Sequence, residues 1–319
     1  MKTDLDASPS FSNPRVSPAS AAIDRSSVTV GAMCGLAVAL IWAGWSVATR
    51  FAVTTNLGPQ DVTFLRFGVS AVFLWPVLVR NGLGLRRIGV TRMLVMIVGA
   101  GAPFMLLTSI GMRYAPASHV ATLMIGAMPI FVALLSVLLF GERFSPVQLL
   151  GLTVVVAGIA CIGGYALVTN RAGGEWRGDS LFLLCGLLFA SYTLAQRRSG
   201  ISSWHATALV NVGSCVLFTP IYFLWLNPRI FTVPLRDVAF QGAAQGIGVA
   251  ILGLYFYAEA VRRLGAPRAA IFGALAPALA VLISMPVLGE FPAWITLAGI
   301  AMVMAGVILV VTGKKARKP

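Results

Sequence analysis

Ten stretches of about twenty apolar residues, parted by charged or Gly/Pro-rich breaks, leave this chain one solvent in which to fold, a lipid bilayer. They run Val28 to Thr49, Val62 to Val79, Met93 to Tyr114, Ala117 to Phe140, Leu149 to Val168, Asp179 to Gln196, His205 to Leu226, Asp237 to Ala258, Ala269 to Leu288 and Pro292 to Val311. A hydrocarbon core of about 30 Å needs about 20 helical residues to cross it. Because no water is there to bond a free backbone, each stretch must satisfy its own amides, so the expected class is an all-α integral membrane protein of ten transmembrane helices. Composition agrees: 11% of residues are charged, against roughly 25% in soluble domains.

The chain also repeats itself. Pro129, Leu134, Ser136, Gly141, Glu142, Leu149, Gly151, Val155, Ala157 and Gly158 recur without a gap as Pro277, Leu282, Ser284, Gly289, Glu290, Leu297, Gly299, Val303, Ala305 and Gly306, ten identities in 30 aligned positions. Apolar bias matches some Leu and Val by chance, but not two Gly-Glu pairs, a proline and further glycines in one register. Five spans per copy is an odd number, so the second copy enters the membrane from the opposite face. The expected architecture is therefore two inverted five-helix repeats, which suits alternating access to a central site. The units are a disordered polar tail over 1–27, a first repeat over 28–168, a linker over 169–178, a second repeat over 179–312 and a basic tail over 313–319.

Charge sets the orientation. With the N-terminus inside, 17 Lys and Arg fall on the inner side and six outside, while Arg66 lies within a span. The positive-inside rule then places both termini in the cytoplasm of a multi-pass inner (plasma) membrane protein. The net charge of +14 thus reports orientation, and no nucleic-acid partner is expected, since no basic stripe is interleaved with stacking aromatics. The first apolar run is too long, and lacks the small-residue cleavage site, for a signal peptide. Cys34, Cys161, Cys185 and Cys215 lie within spans and form no CxxC, so they read as small buried hydrophobes, with no disulfide framework or metal site.

Four segments resemble the drug/metabolite transporter superfamily, and within it the EamA family of ten-helix exporters. They are "LIWAGWSVATR" in the first span, "GMRYAPASHVATLMIGAMPIFVALLSVLLFGERFSPVQLLGLTVVVAGI", "GDSLFLLCGLLFASYTLAQRR" in the sixth, and "LGAPRAAIFGALAPALAVLISMPVLGEFPAWITLAGIAMVMAGVIL". The likeness covers about residues 33 to 312. It implies secondary export of small metabolites without ATP, and the absence of a GxxxxGK[ST] segment agrees. No cofactor is expected. The partners are a small-molecule substrate and membrane lipids, with the chain as monomer or homodimer.

Matching Gly/Pro interruptions in two halves point to a substrate site. Gly126 and Pro129 in the fourth span correspond to Gly273 and Pro277 in the ninth, and read as hinges or as ordinary close packing. The third span carries Gly99, Gly101 and Pro103, and the eighth Gly242, Gly246, Gly248 and Gly253. The cavity is expected between spans 1, 3, 4, 6, 8 and 9, as the family's architecture also implies. Its candidate lining is Trp42, Trp45 and Ser46, Thr108, Thr122 and Met124, Tyr192 with Phe189 and Thr193, and Gln245, Tyr255 and Tyr257. For Trp45 and Tyr192 the alternative is the interfacial aromatic belt. For Gln245 it is an interhelical hydrogen bond, because an unpaired amide in lipid costs a few kcal/mol.

Two charges are candidates for coupling or gating. Arg66 sits in a span, where a cation costs about 2.5 to 3.5 kcal/mol on insertion scales; the bland alternatives are snorkelling and pairing near Asp61. Glu259 precedes Arg262 and Arg263 at helical ion-pair spacing, which competes with a proton-coupling role. The Gly-Glu pairs read as helix-start chemistry, Ser145 and Gln148 forming a capping box and Glu290 favouring the start of the tenth span, or as a gate. Gly151 with Gly158 and Gly299 with Gly306 suit close packing, within the chain or at a dimer seam. Catalysis is not expected, since His119 and His205 lie in different halves and no metal or acid-base motif appears. An exporter of amino acids or related compounds is the leading reading. A facilitative drug, organic-cation or nucleoside efflux carrier and a non-transporting membrane partner or sensor are the alternatives.

Overall fold

The computed structural model describes residues 25–84, 88–169, 174–264 and 266–313. Among the described residues, ten helices are long and apolar enough to cross a membrane: Ser27–Thr54, Pro59–Asn81, Val90–Gly111, Ala117–Phe140, Pro146–Tyr165, Glu175–Ser199, Ser203–Trp225, Leu235–Leu264, Ile271–Leu288 and Trp294–Thr312, here spans 1 to 10. The sixth helix starts at Glu175, inside the expected linker, so residues 175–178 belong to the second bundle of spans. Of the two expected tails, residues 1–24 and 314–319 lie outside the described residues, and residues 25–27 already belong to the first helix.

Gly31 abuts Arg263 and Leu264, and Gly313 abuts Gln148, so the start of span 1, the end of span 8, the start of span 5 and the end of span 10 share one face. We call it the terminal face.

Spans 3 and 9 are interrupted near their expected glycines, whereas spans 4 and 8 stay helical throughout with a change of pitch. Span 3 divides at Gly101, where the freed Ala102 amide donates to Ser214 Oγ of span 7 at 3.1 Å. Spans 4 and 8 widen into π-helix over Val120–Ile125 and Ala243–Gly253, a geometry often found at functional sites. Span 9 pauses between Ala266–Gly273 and Ala276–Leu288.

Packing repeats with the sequence. Spans 5 and 10 lie against one another, Gly151 facing Gly306 and Gly158 facing Gly299. The order of those pairs makes the two equivalent spans antiparallel, and the expected glycine faces are used within the chain. Span 1 packs on spans 8 and 9, and span 6, its equivalent, on spans 3 and 4. Gly141 and Gly289 end spans 4 and 9 at φ 61° and 67°, a left-handed geometry that favours glycine. The glycine of each Gly-Glu pair is thus a helix stop. The Ser145–Gln148 capping box does form at the start of span 5, with reciprocal bonds of 3.1 and 3.3 Å.

Asp61 is fully buried and binds three donors: the Gly58 amide at 2.7 Å, the Arg229 amide at 2.9 Å and the Tyr222 hydroxyl at 2.5 Å. It joins the start of span 2 to the end of span 7 and the loop beyond. Asp61→Ala leaves the buried Gly58 amide and Tyr222 hydroxyl unpaired, at about 1–3 kcal/mol each. A clearly lowered unfolding temperature in detergent is expected, whereas Asp237→Ala, at a more exposed pair with Asn56, should change it little. Equal melting of both variants would refute the clamp.

Candidate functional site

A cavity of about 210 Å³ lies where the two repeats meet. Span 1 contributes Trp42 and Trp45, span 2 Arg66, span 3 Phe104, span 4 Met124, Ile125 and Met128, span 6 Phe189, and span 8 Val249, Gly253, Leu254 and Tyr257. Both π-helical stretches form walls, since Met124 and Ile125 belong to one and Val249 and Gly253 to the other. Sharing Trp42, Ile125, Met128 and Tyr257 is a second chamber of about 160 Å³, which passes Gly126, Pro129, Gly273 and Pro277 and reaches Val311 beside the end of span 10. Taken together, the two chambers come near the lower end of the roughly 300–1,000 Å³ range of small-molecule pockets. Its walls are aromatic and aliphatic, and Arg66 is the charged residue among the lining side chains described.

Arg66 does not pair with Asp61, whose carboxylate is taken up by Gly58, Tyr222 and Arg229. Its guanidinium instead lies over the Trp45 ring, 5.6 Å from the centroid, and 3.5 Å from Gln245 Oε1. Gln245 is held from behind. Its amide nitrogen donates to Thr49 Oγ1 at 2.8 Å and to Gln241 Oε1 at 3.3 Å, and Gln241 donates in turn to the Ala48 carbonyl at 2.8 Å. With both amide hydrogens engaged, the oxygen is left for Arg66. The Trp45 indole N–H is buried and has no partner among the described residues.

Several residues expected in the lining lie elsewhere. Ser46, Thr108 and Thr122 are fully buried, and each hydroxyl donates to a carbonyl of its own helix, Ala43, Phe104 and Ser118 respectively, so none opens into the cavity. Tyr192 packs in a separate core beside Met93 and Val77, and its backbone sits against Gly99. Tyr255 is 53% exposed on the outer side of span 8, whereas Tyr257 faces inward, 5.8 Å from Trp42. Glu259 is held by Arg262 and Arg263 at 2.5–2.8 Å, away from the cavity. Gly126 and Gly273 are tight approaches as well as wall positions: a Cβ would meet Val303 at 2.3 Å in the first and Trp42 at 3.1 Å in the second.

Two ion pairs lie at opposite ends of the bundle. Glu290, just past span 9, binds Arg50 Nε of span 1 at 2.8 Å through one oxygen and accepts the Ala117 amide at the start of span 4 at 3.1 Å through the other. Arg50 also donates to the Met112 carbonyl at the end of span 3. Glu290 therefore serves span 4 rather than the start of span 10. Glu142, its counterpart after span 4, pairs with Arg197 at the end of span 6, a single contact of 3.1 Å. Arg50 and Arg197 hold equivalent places in "WAGWSVATR" and "FASYTLAQR". The two pairs are thus one contact made twice, once across the face opposite the termini and once on the terminal face. They differ in solvation: the side chains of the first are 17% and 18% exposed, those of the second 56% and 32%.

A vestibule of about 540 Å³ lies beside the tighter pair, lined among others by His119, Glu175 and Tyr165. His119 Nδ1 bonds Asp179 Oδ1 at 2.8 Å, joining spans 4 and 6. Neither the ion pairs nor this contact was evident from local spacing, because the partners lie 55 to 240 residues apart. The one available signal was the matched Arg in the equivalent spans.

Residues 29–164 and 176–312 each match the family described as EamA-like transporter family. The uncharacterized transporter YdeK of Bacillus subtilis (strain 168) is 26% identical over 283 residues, covering 86% of this chain and 95% of its own length. The probable terminal-alkyne amino-acid exporter of Streptantibioticus cattleyicolor is 27% identical over 289 residues, covering 84% and 89%. A solved structure described as a crystal structure of protein superposes with a TM-score of 0.60 over 88% of this chain and 97% of its own, at 20% identity, a likeness of fold.

Proposed function

Because the chain belongs to the EamA-like transporter family, we propose that it is a secondary carrier that exports small metabolites, amino acids or related compounds, by alternating access between inverted repeats. The observation that carries this reading is the unequal pair of symmetry-related ion pairs around one central cavity. In the described state the Arg50–Glu290 contact is multiply bonded and shielded, whereas Arg197–Glu142 is a lone, solvated contact. The joined cavity reaches down to Val311, toward the terminal face. A repeat-swapped arrangement would exchange the roles of the two pairs and turn the cavity to the other side. The excess of Lys and Arg on the terminal side supports placing that face in the cytoplasm of an inner membrane. The described state is then loaded from the cytoplasm, which is the loading step of an exporter. The name of the Streptantibioticus relative supports amino acids as the first substrates to try.

The test is counterflow in proteoliposomes with L-propargylglycine, a terminal-alkyne amino acid, and L-norvaline. Saturable exchange that empty liposomes lack is the expected result. Absence of saturable flux for amino acids, nucleosides and organic cations alike would remove the carrier reading. Within that assay Trp42→Ala and Tyr257→Ala, which remove two neighbouring rings of the cavity wall, should raise the half-saturating concentration about tenfold, the loss of about 1.4 kcal/mol of binding. Tyr255→Ala should leave it within about twofold, since its ring lies outside. Equal effects of the two tyrosines would displace the site from this cavity.

A further inference from the structure

We propose that Arg66 is the anchor for a substrate carboxylate, so that the cavity selects monocarboxylates with an uncharged apolar body and rejects organic cations. This deepens the carrier reading and rests on it. The argument is one of unmatched donors. A guanidinium has no acceptor capacity and five N–H groups to place. Around Arg66 the described residues offer one neutral acceptor, Gln245 Oε1 at 3.5 Å, and no described carboxylate comes within ion-pair distance of it. Asp61, the acid nearest it in sequence, is committed to three donors of its own, and Glu259 of span 8 to two arginines. The guanidinium therefore lacks a charged acceptor on one wall of an otherwise apolar cavity, and a carboxylate has two oxygens to accept from it.

The surroundings set the rest of the ligand. Gln245 is fixed by Thr49 and Gln241, so its oxygen steadies the guanidinium instead of turning to the ligand. Phe104, Met128, Phe189 and Tyr257 leave apolar space for the body of the molecule. No lining carboxylate among the described residues neutralises a free amine. An α-ammonium group is tolerated against aromatic faces, but it is not what the site requires.

The test is binding to the full chain in nanodiscs of a matched terminal-alkyne series: L-propargylglycine, 4-pentynoate, which lacks the amine, L-propargylglycinamide, which lacks the carboxylate charge, and but-3-ynylamine, which lacks the carboxyl group altogether. The first two should bind at least tenfold more tightly than the last two. Arg66→Gln should bring all four within about twofold. Should Arg66→Gln fail to fold, Gln245→Glu decides: it brings a carboxylate to the guanidinium, so the protein should stay folded yet lose 4-pentynoate binding. Amine or amide binding equal to that of the carboxylates, or retained 4-pentynoate binding in folded Gln245→Glu, would overturn the proposal. Saturable counterflow of but-3-ynylamine would likewise refute the anchor while leaving the carrier reading intact. Carboxylate binding with no saturable flux of any probe would do the reverse.

Discussion

Glu290→Gln is expected to shift the protein from the arrangement described here toward one open on the face opposite the termini, and to cut exchange flux by an order of magnitude or more. One carboxylate ties together three elements: Arg50 at the end of span 1, the first amide of span 4, and through Arg50 the Met112 carbonyl at the end of span 3. Removing its charge leaves a largely shielded guanidinium with a neutral partner. Breaking a buried pair in this way costs about 3–5 kcal/mol, and the residual exposure of these side chains reduces that to about 2–4 kcal/mol. A change of that size moves a two-state equilibrium by roughly 30- to 1,000-fold. Spin labels at Thr55 and Trp294, on the same face in a cysteine-free background, should report a longer distance in the variant. Arg197→Gln, at the solvated counterpart, should move the same distance little, because that pair contributes about 0–1 kcal/mol where it is exposed. The charge swap Arg50→Glu with Glu290→Arg should recover part of the flux: it restores the ion pair but not the acceptor for the Ala117 amide. An unchanged distance and flux in Glu290→Gln would show that the pair does not hold this face closed.

That contact illustrates which parts of the molecule the sequence discloses. Span positions are legible because each helix must bury about twenty apolar residues whatever its neighbours do, and the ten runs and ten helices agree within a few residues at most ends. The interruptions in spans 3 and 9 are legible too, because Gly and Pro act on the local backbone, whereas spans 4 and 8 change pitch without breaking. The Gly-Glu repeat announces itself, but its role does not. Gly141 and Gly289 are local stops, whereas Glu142 and Glu290 find partners 55 and 240 residues away. Nothing in the spacing around Glu290 distinguishes a bond to span 10 from one to span 4.

Side-chain direction is the other limit. Tyr255 and Tyr257 stand two residues apart, about 200° around a helix, so at most one faces the cavity. The π-helical stretch ending at Gly253 rotates that register by an amount the sequence does not disclose. Ser46, Thr108 and Thr122 mislead for a different reason: a hydroxyl in an apolar helix has its own preceding carbonyl as a partner, and all three take it. Arg66 is the converse case. Its nearest acid in sequence, Asp61, is spent on Tyr222 and two amides, and only the folded arrangement reveals that the guanidinium turns to the cavity.

Gly158→Ala is expected to be among the most destabilising single-methyl additions in the chain, and Gly163→Ala in the same helix to be harmless. A Cβ on Gly158 would lie 2.7 Å from the Gly299 carbonyl oxygen, 2.8 Å from Val303 Cγ2 and 3.0 Å from the Val303 amide nitrogen, so two of its three obstacles are backbone. A rotamer change cannot clear them. Spans 5 and 10 must separate, and the loss propagates to the other close approach, where a Cβ on Gly306 would meet the Gly151 carbonyl at 2.7 Å. Overpacking of this kind costs about 1–3 kcal/mol, with the upper end expected where backbone must yield. Lipid supplies no hydrophobic penalty for separation, so van der Waals contact between these helices is what the change removes. At Gly163 an added Cβ meets nothing within 4 Å, and alanine there should add about 0.5–1 kcal/mol by restricting the unfolded backbone. Thermal unfolding of the two variants in the same detergent should therefore move in opposite directions. If Gly158→Ala melts with the parent, spans 5 and 10 do not meet backbone to backbone as described. If instead it melts early while a Gly158→Ala, Val303→Ala double variant does not recover, the carbonyl contact rather than the valine side chain sets the distance between the two repeats.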